Sequence, residues 1–393
     1  MRRLRVVGLF LALLSLALLL VLAAQAGAPK PEPNKVKQTA KPVRTLAMDG
    51  PRVAYMRSDR RVGVWNVVTG ATSTIEGTYP SSGSKFGYGS GEVAIAGTRI
   101  ALITRFVTGN TMQTQERLYT ASMGGSARQI GKLTNHSSSD VGACDVPGSG
   151  YSFGNWIGGL VGSGKILAVS SWESDSAATT GERLRYVTST GLRTMVSGPG
   201  AVVSQAANGG HIAVLRSTDA WPAYQGPAKQ GTPMVGVYST DGTLLGEIAL
   251  NVPLPNPCGY PISMIRIALS GNQLVVLRLD IPQAGSLTSR VEVYDWRTGA
   301  LVHVWPLALG HGSPGADRLV VYGRVAVLSG DSFRLRLLDL TTGKAVTIAA
   351  SDASSPATIG SRGLVYAGNP YKVGGGPGKL VFVPTAKLRA MLR

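Results

Sequence analysis

After an N-terminal apolar segment, the chain shows no sustained helical periodicity until its last dozen residues. Short apolar runs recur instead, each closed by a turn and followed by another run. The clearest are residues 53–56, 100–104, 166–170, 212–215, 274–279 and 325–328. A further run precedes several of them, at 93–96, 264–269 and 319–322, and another follows, ending in a Thr-Gly or Asp-Gly turn. That ending reads Val64-Trp65-Asn66-Val67-Val68-Thr69-Gly70 in its first copy and Arg185-Tyr186-Val187-Thr188-Ser189-Thr190-Gly191 in a later one. Val237-Tyr238-Ser239-Thr240-Asp241-Gly242 is one residue shorter, and Leu118-Tyr119-Thr120-Ala121-Ser122-Met123-Gly124 is degenerate. Glycine supplies the positive φ such hairpins require, and the preceding Asp or Thr hydrogen-bonds to the turn backbone.

Each period holds about four strands in roughly 40 to 65 residues, the size of a propeller blade. Six turns mark six blades. A seventh is implied by runs at 357–359, 364–367 and 380–383, which lack a fourth strand; residues 36–39 are suited to supply it from the N-terminal side. The expected fold is an all-β, seven-bladed β-propeller over residues 43–385, with six and eight as the neighbouring counts. The best turn copies, Val293-Tyr294-Asp295-Trp296-Arg297-Thr298-Gly299 and Leu337-Leu338-Asp339-Leu340-Thr341-Thr342-Gly343, carry a resemblance to the β-propeller superfamily of WD40-, TolB-like and quinoprotein repeats. Quinoprotein repeats place a Trp four residues after the Gly; here His303 and Thr347 stand there, so no quinone cofactor is expected.

In a four-stranded blade the A–B and C–D turns fall on one face of the disc, and the B–C and D–A connections on the other. The long segments 134–155 and 251–262 read as D–A loops, and 172–182, 217–231, 280–289 and 368–378 as B–C loops, so one face is elaborated. Both cysteines, Cys144 and Cys258, sit in the two D–A loops, and a disulfide between them is expected in an oxidising compartment. Tyr151, Trp156, Trp172, Trp221, Tyr224, Tyr260 and Tyr371 gather on the same loops as candidate ligand-binding residues, with Phe153 among them. Their alternative role is to plug the channel or pack the loops down. Trp65, Trp296 and Trp305 fall in strands and read as core.

The leader sets the compartment. Met1 to Arg5 is a basic start, residues 6–24 are almost wholly apolar, and Ala24-Gln25-Ala26 fits signal-peptidase cleavage. Roughly 19 apolar residues also just suffice to span a bilayer, so residues 1–28 are either a cleaved signal peptide or a signal anchor. Both outcomes place the rest of the chain outside the cytoplasm, secreted or held at the outer side of the membrane. Residues 29–42 form a Pro/Lys-rich linker, and residues 386–393 a short basic end whose Leu388 and Leu392 either cap the disc or touch a membrane.

The net charge of +18 favours anionic partners, but export argues against nucleic acid, and the basic residues are dispersed along the sequence. Anionic envelope polymers or lipid headgroups are the natural counterparts, for a chain expected to be monomeric. His136, His211, His303 and His311 show no metal-ligand spacing, and no nucleophile elbow or P-loop occurs, so no metal or cofactor is expected. The carboxylates Asp140, Asp145, Glu173, Asp175, Asp219 and Asp280 lie toward the elaborated face, by default as solvated charges. The sequence thus points to a non-catalytic extracytoplasmic propeller binding a protein or cell-envelope ligand through its long-loop face. The alternative is an extracellular propeller enzyme using that face, a carbohydrate-active hydrolase or lyase or a quinoprotein relative.

Overall fold

A strand with four consecutive apolar residues needs a packed neighbour on both faces of its sheet, because successive side chains point to opposite sides. The second strand of every repeat meets that condition: residues 53–56, 100–103, 166–169, 212–215, 274–277, 325–328 and 364–367 are all buried. The computed structural model describes residues 34–76, 91–108, 113–137, 152–174, 179–198, 201–217, 233–250, 265–280, 288–307, 318–330, 333–348, 355–368 and 376–393. They form seven antiparallel blades whose strands are termed A to D from the central channel outward. Strands A are Val43–Asp49, Gly91–Ala96, Ser152–Ser163, Ala201–Asn208, Ile265–Ser270, Arg318–Tyr322 and Ala357–Gly360, in blades 1 to 7.

The ring is closed. Each strand A touches the next, and the last touches the first. Seven apolar clusters fill the seven seams, one between each pair of adjacent blades. Blade 7 takes strands A to C from residues 357–384, and its outer strand is Lys35–Thr39, which pairs antiparallel with Gly378–Pro384 in the register Val36↔Val381 and Gln38↔Lys379. The N-terminal completion expected from the missing fourth strand is therefore present, within the Pro/Lys-rich stretch. The leader lies outside the described residues, among which no helix is long and apolar enough to cross a membrane.

A second device runs around the rim: the C–D turn of one blade rests on the outer strand of the blade before it. Lys35 Nζ donates to the carbonyls of Val67 and Val68 at 3.0 and 3.2 Å, joining blade 7 to blade 1. The Glu76 N–H donates to Gly125 O at 3.1 Å and Glu76 O accepts the Ala127 N–H between blades 1 and 2, and the Trp305 indole donates to Leu340 O at 3.1 Å between blades 5 and 6. Blade 7 has no C–D turn, because its strand D comes from the other end of the chain. Helix α1 (Thr385–Met391) stands in its place, burying Leu388 and then Leu392 beside Ile348 of blade 6. Of the two roles open to this basic end, capping is the one observed.

The two faces differ in construction. Every A–B turn has two residues between its strands, as in Asp49–Arg52 and Ser270–Gln273, and the C–D turns have four or five. Gly50, Gly97, Gly164, Gly271 and Gly323, at φ between 56 and 62° for the set, supply the left-handed step these A–B turns demand. This turn face is tied across the channel by Asp49, whose carboxylate accepts the Gly97 N–H at 2.6 Å and the Gly164 N–H at 3.1 Å. Basic residues that look dispersed along the sequence are not dispersed in the fold. Lys165, Arg324 and Arg362 are the second residue of an A–B turn and Arg52 and Arg99 immediately follow one, so the blade repeat gathers them on the turn face.

Candidate functional site

On the opposite, loop face the elaboration is concentrated in blades 2 and 3. Strands B to D of blade 2 and A to C of blade 3 run 9 to 12 residues, whereas strands elsewhere run 3 to 8. Strand D of blade 2, Arg128–Ser137, also pairs with the start of strand A of blade 3 through Phe153↔His136, merging the two blades into one eight-stranded sheet. The result is a raised wall on one side of the channel mouth. It corrects two boundaries expected from the sequence: strand extends into both segments, over 134–137 and 152–155 in the first and over 172–174 and 179–182 in the second. Ser-, Thr- and Asn-rich composition suggested loops there, but ladder pairing continues through it.

Six residues expected on loops, His136, Phe153, Trp156, Trp172, Glu173 and Asp280, lie in strands. Trp156 and Trp172 oppose one another in the A–B register of blade 3, flanked by Asn155↔Glu173, and His136 lies in strand D of blade 2. Asp280 ends strand B of blade 5, opposite Thr288. Tyr151, Trp221, Tyr224, Tyr260, Tyr371, Cys144, Cys258, His311 and the carboxylates Asp140, Asp145, Asp175 and Asp219 lie outside the described residues. His211 and His303 are structural neighbours of tryptophans, with ring centroids 5.2 Å from Trp296 and 5.3 Å from Trp305. Among the described residues, no three His, Cys, Asp or Glu side chains gather as metal ligands would.

Below the wall lies a polar network that sequence reasoning did not single out. Arg105, in strand B of blade 2, donates from Nη1 to Glu92 at 2.8 Å and from Nε to Glu116 at 2.5 Å. Glu92 Oε2 also accepts the Leu160 N–H at 3.1 Å, stitching blade 2 to blade 3. Burial opposes the guanidinium charge, but the two carboxylates outweigh it and raise the Arg105 pKa. Both carboxylates act as acceptors for one guanidinium. A glycosidase pair instead needs one carboxyl as proton donor to a leaving group, so this convergence favours anchoring over acid–base chemistry. The available signal was Glu92 itself, a charge in the otherwise apolar inner strand Gly91-Glu92-Val93-Ala94-Ile95.

Gly159, beside a bulge in strand A of blade 3, leaves space between this network and blade 4. A Cβ there would stand 3.4 Å from Glu92 Oε2 and 3.3 Å from Gln205 Nε2. Both amide atoms of Gln205 are buried without a protein partner among the described residues. This corner therefore pairs an acceptor-rich carboxylate with an unsatisfied amide, suited to hydroxyl or amide groups reaching into the channel mouth.

Blade 5 holds a second buried network. Glu292 accepts from Arg278 at 3.1 Å, from Arg290 at 2.7 Å and from the Tyr294 hydroxyl at 2.8 Å. Burial first, and then the bond to Glu292, drive the Tyr294 pKa well above its ordinary value. More generally, the residue closing the apolar run of strand B is polar in six blades, as Arg57, Thr104, Ser170, Arg216, Arg278 and Ser329.

The strand pairing alone establishes the fold. The protein is a seven-bladed β-propeller. Solved structures similar to it are propellers as well. The β-propeller domain of the Trilobed protease from Pyrococcus furiosus has 11% identity and a TM-score of 0.48, over 83% of this chain and 91% of that one. Sqt1 from Saccharomyces cerevisiae has 11% identity and a TM-score of 0.43, over 90% and 98%. BamB from Moraxella catarrhalis has 9% identity and a TM-score of 0.40, over 86% and 85%. Likeness this remote bears on neither ligand nor activity. No family model matches the chain, and no curated protein matches it in sequence.

Proposed function

We propose that this is a non-catalytic, extracytoplasmic binding propeller that takes a protein or cell-envelope ligand on its loop face. The raised wall of blades 2 and 3 is the principal contact. The observation that carries this reading is the local lengthening of six successive strands on one side of the channel mouth, with the Trp156–Trp172 register pair at that height. Extending a ladder costs backbone entropy at every residue, and here it lengthens six successive strands toward the loop face. The remaining candidates, Tyr151, Trp221, Tyr224, Tyr260 and Tyr371, belong to connections on the same face and supply aromatic contact area. Export rests on the leader sequence. A Cys144–Cys258 bond would tie two D–A connections together, and differential alkylation with and without reductant tests it: two freely labelled thiols would exclude the bond.

The binding reading is tested by comparing the protein with a Trp156→Ala/Trp172→Ala variant for retention on isolated envelope fractions, with wall polymer and membrane assayed separately. Retention at least tenfold weaker, with the thermal transition preserved, is expected. Equal retention by wild type and variant would remove the wall from the site.

A further inference from the structure

The opposite face carries a feature that a ligand on the loop face does not use. The five cations at A–B turns (Arg52, Arg99, Lys165, Arg324 and Arg362) come from blades 1, 2, 3, 6 and 7 and lie at the turn-face end of the channel. Helix α1 and the residues after it add Lys387, Arg389 and Arg393 on this face, and the exposed Arg297 and Lys344 flank it from C–D turns.

Neutralisation is uneven between the two sides. Toward the loop face, arginines meet carboxylates in Arg57–Asp59, Arg105–Glu92, Arg216–Glu247 and Arg278–Glu292. In the turn-face ring, Arg324 pairs with Asp339 at 3.3 Å. Arg99 instead donates to the Lys165 and Val187 carbonyls, which fix its position and leave its charge uncancelled. A second carboxylate on this face, Asp49, accepts the Gly97 and Gly164 amides. Exposed apolar side chains lie on the same side of the disc, at strand ends and C–D turns: Tyr322 at 40%, Val68 at 50%, Met123 at 39% and Leu244 at 48%.

We propose that the turn face is a docking surface for an anionic lipid bilayer, so that the loop face points away from the membrane. Turns of two residues between strands A and B, and of four or five between C and D, keep the face shallow, which suits a planar surface. Cations interleaved with exposed apolar tips match the headgroup and acyl boundary, where apolar contact and attraction to anionic lipid act together. A purely polyanionic polymer would make no use of the apolar tips. Strand Lys35–Thr39 begins on this face, with Lys35 opposite Phe382.

The test uses the full chain with vesicles of pure phosphatidylcholine or of phosphatidylcholine containing phosphatidylglycerol, and reads lysine acetylation by mass spectrometry. Lys165 and Lys344 should label at least about fivefold more slowly on the anionic vesicles, while Lys41 and Lys379, toward the loop face, are unchanged. About 1 kcal/mol per cation near an anionic surface is about fivefold, so removing four weakens docking on the order of several hundredfold. An Arg52→Gln/Arg362→Gln/Arg389→Gln/Arg393→Gln variant should therefore lose the protection. Raised salt should remove it from the unaltered protein too, a check that does not depend on the variant folding. Equal labelling on both vesicle types overturns the proposal. Protection by soluble polyphosphate but not by vesicles also overturns it, assigning the face to a polymer. Protection of Lys41 and Lys379 instead would place the loop face on the membrane. None of these outcomes depends on what the loop face binds.

Discussion

Replacing Glu292 with alanine should cost the protein more than any exposed substitution, because one carboxylate holds three partners inside blade 5. Arg278 is 2% exposed and Glu292 3%, so the change removes a carboxylate partner from a guanidinium held away from water, and the acceptor of the Tyr294 hydroxyl. Breaking a buried ion pair by deleting one partner costs about 3–5 kcal/mol. At about 2 °C per kcal/mol, appropriate to a large domain, melting should fall by about 6–10 °C. Replacing both partners, Arg278→Met with Glu292→Leu, should recover most of that loss, since a packed apolar pair needs no solvation. Urea unfolding followed by tryptophan fluorescence measures both variants. A Glu292→Ala protein within about 1 kcal/mol of wild type would show that water reaches the network, and would refute the assignment of Arg278 as a buried, carboxylate-dependent cation.

Other outcomes follow from the same packing. Tyr55, Tyr186 and Tyr294 all have pKa values raised by burial, so the native state keeps protons that the unfolded chain releases. Their contribution is whole below about pH 10 and is lost as pH rises further, so Tyr294→Phe should flatten the alkaline fall in stability measured by urea titration at stepped pH. Leu388→Ala should cost about 2–5 kcal/mol by opening the seam that α1 closes over blade 6, and calorimetry reads it as a lowered transition. Deleting residues 30–39 removes the outer strand of blade 7 with its ladder bonds to Gly378–Pro384, each worth about 1 kcal/mol net, and should sharply lower the melting temperature. By contrast, a double-mutant cycle on the half-exposed Arg216–Glu247 pair should return a coupling below about 1 kcal/mol.

Where the sequence was legible, a repeated local rule acted. Four-residue apolar runs could only be strands packed on both faces, and Gly at positive φ fixed the turns, so blade count and the N-terminal closing strand could both be anticipated. The wall of blades 2 and 3 could not. Its strands pass through Ser-, Thr- and Asn-rich stretches, where propensity favours loops and cross-strand pairing decides otherwise. Trp156 and Trp172 were recognised as candidates but not as register partners, since register is a property of two segments. The basic ring was hidden for a different reason. Its members stand roughly a blade or more apart in sequence, and only their shared placement at A–B turns brings them together. The Glu92–Arg105–Glu116 network likewise joins three strands of one blade, and its signal was a single charge in an apolar strand.

The division of labour between the faces can be tested in one experiment, by placing a photo-reactive phenylalanine analogue at single positions and illuminating the protein with its native envelope. The account predicts covalent protein or polymer adducts from Gln113 and Thr179, at the ends of wall strands, and none from Thr69 and Thr298, in C–D turns of the turn face. Adducts arising from Thr69 and Thr298, with Gln113 and Thr179 silent, would contradict it.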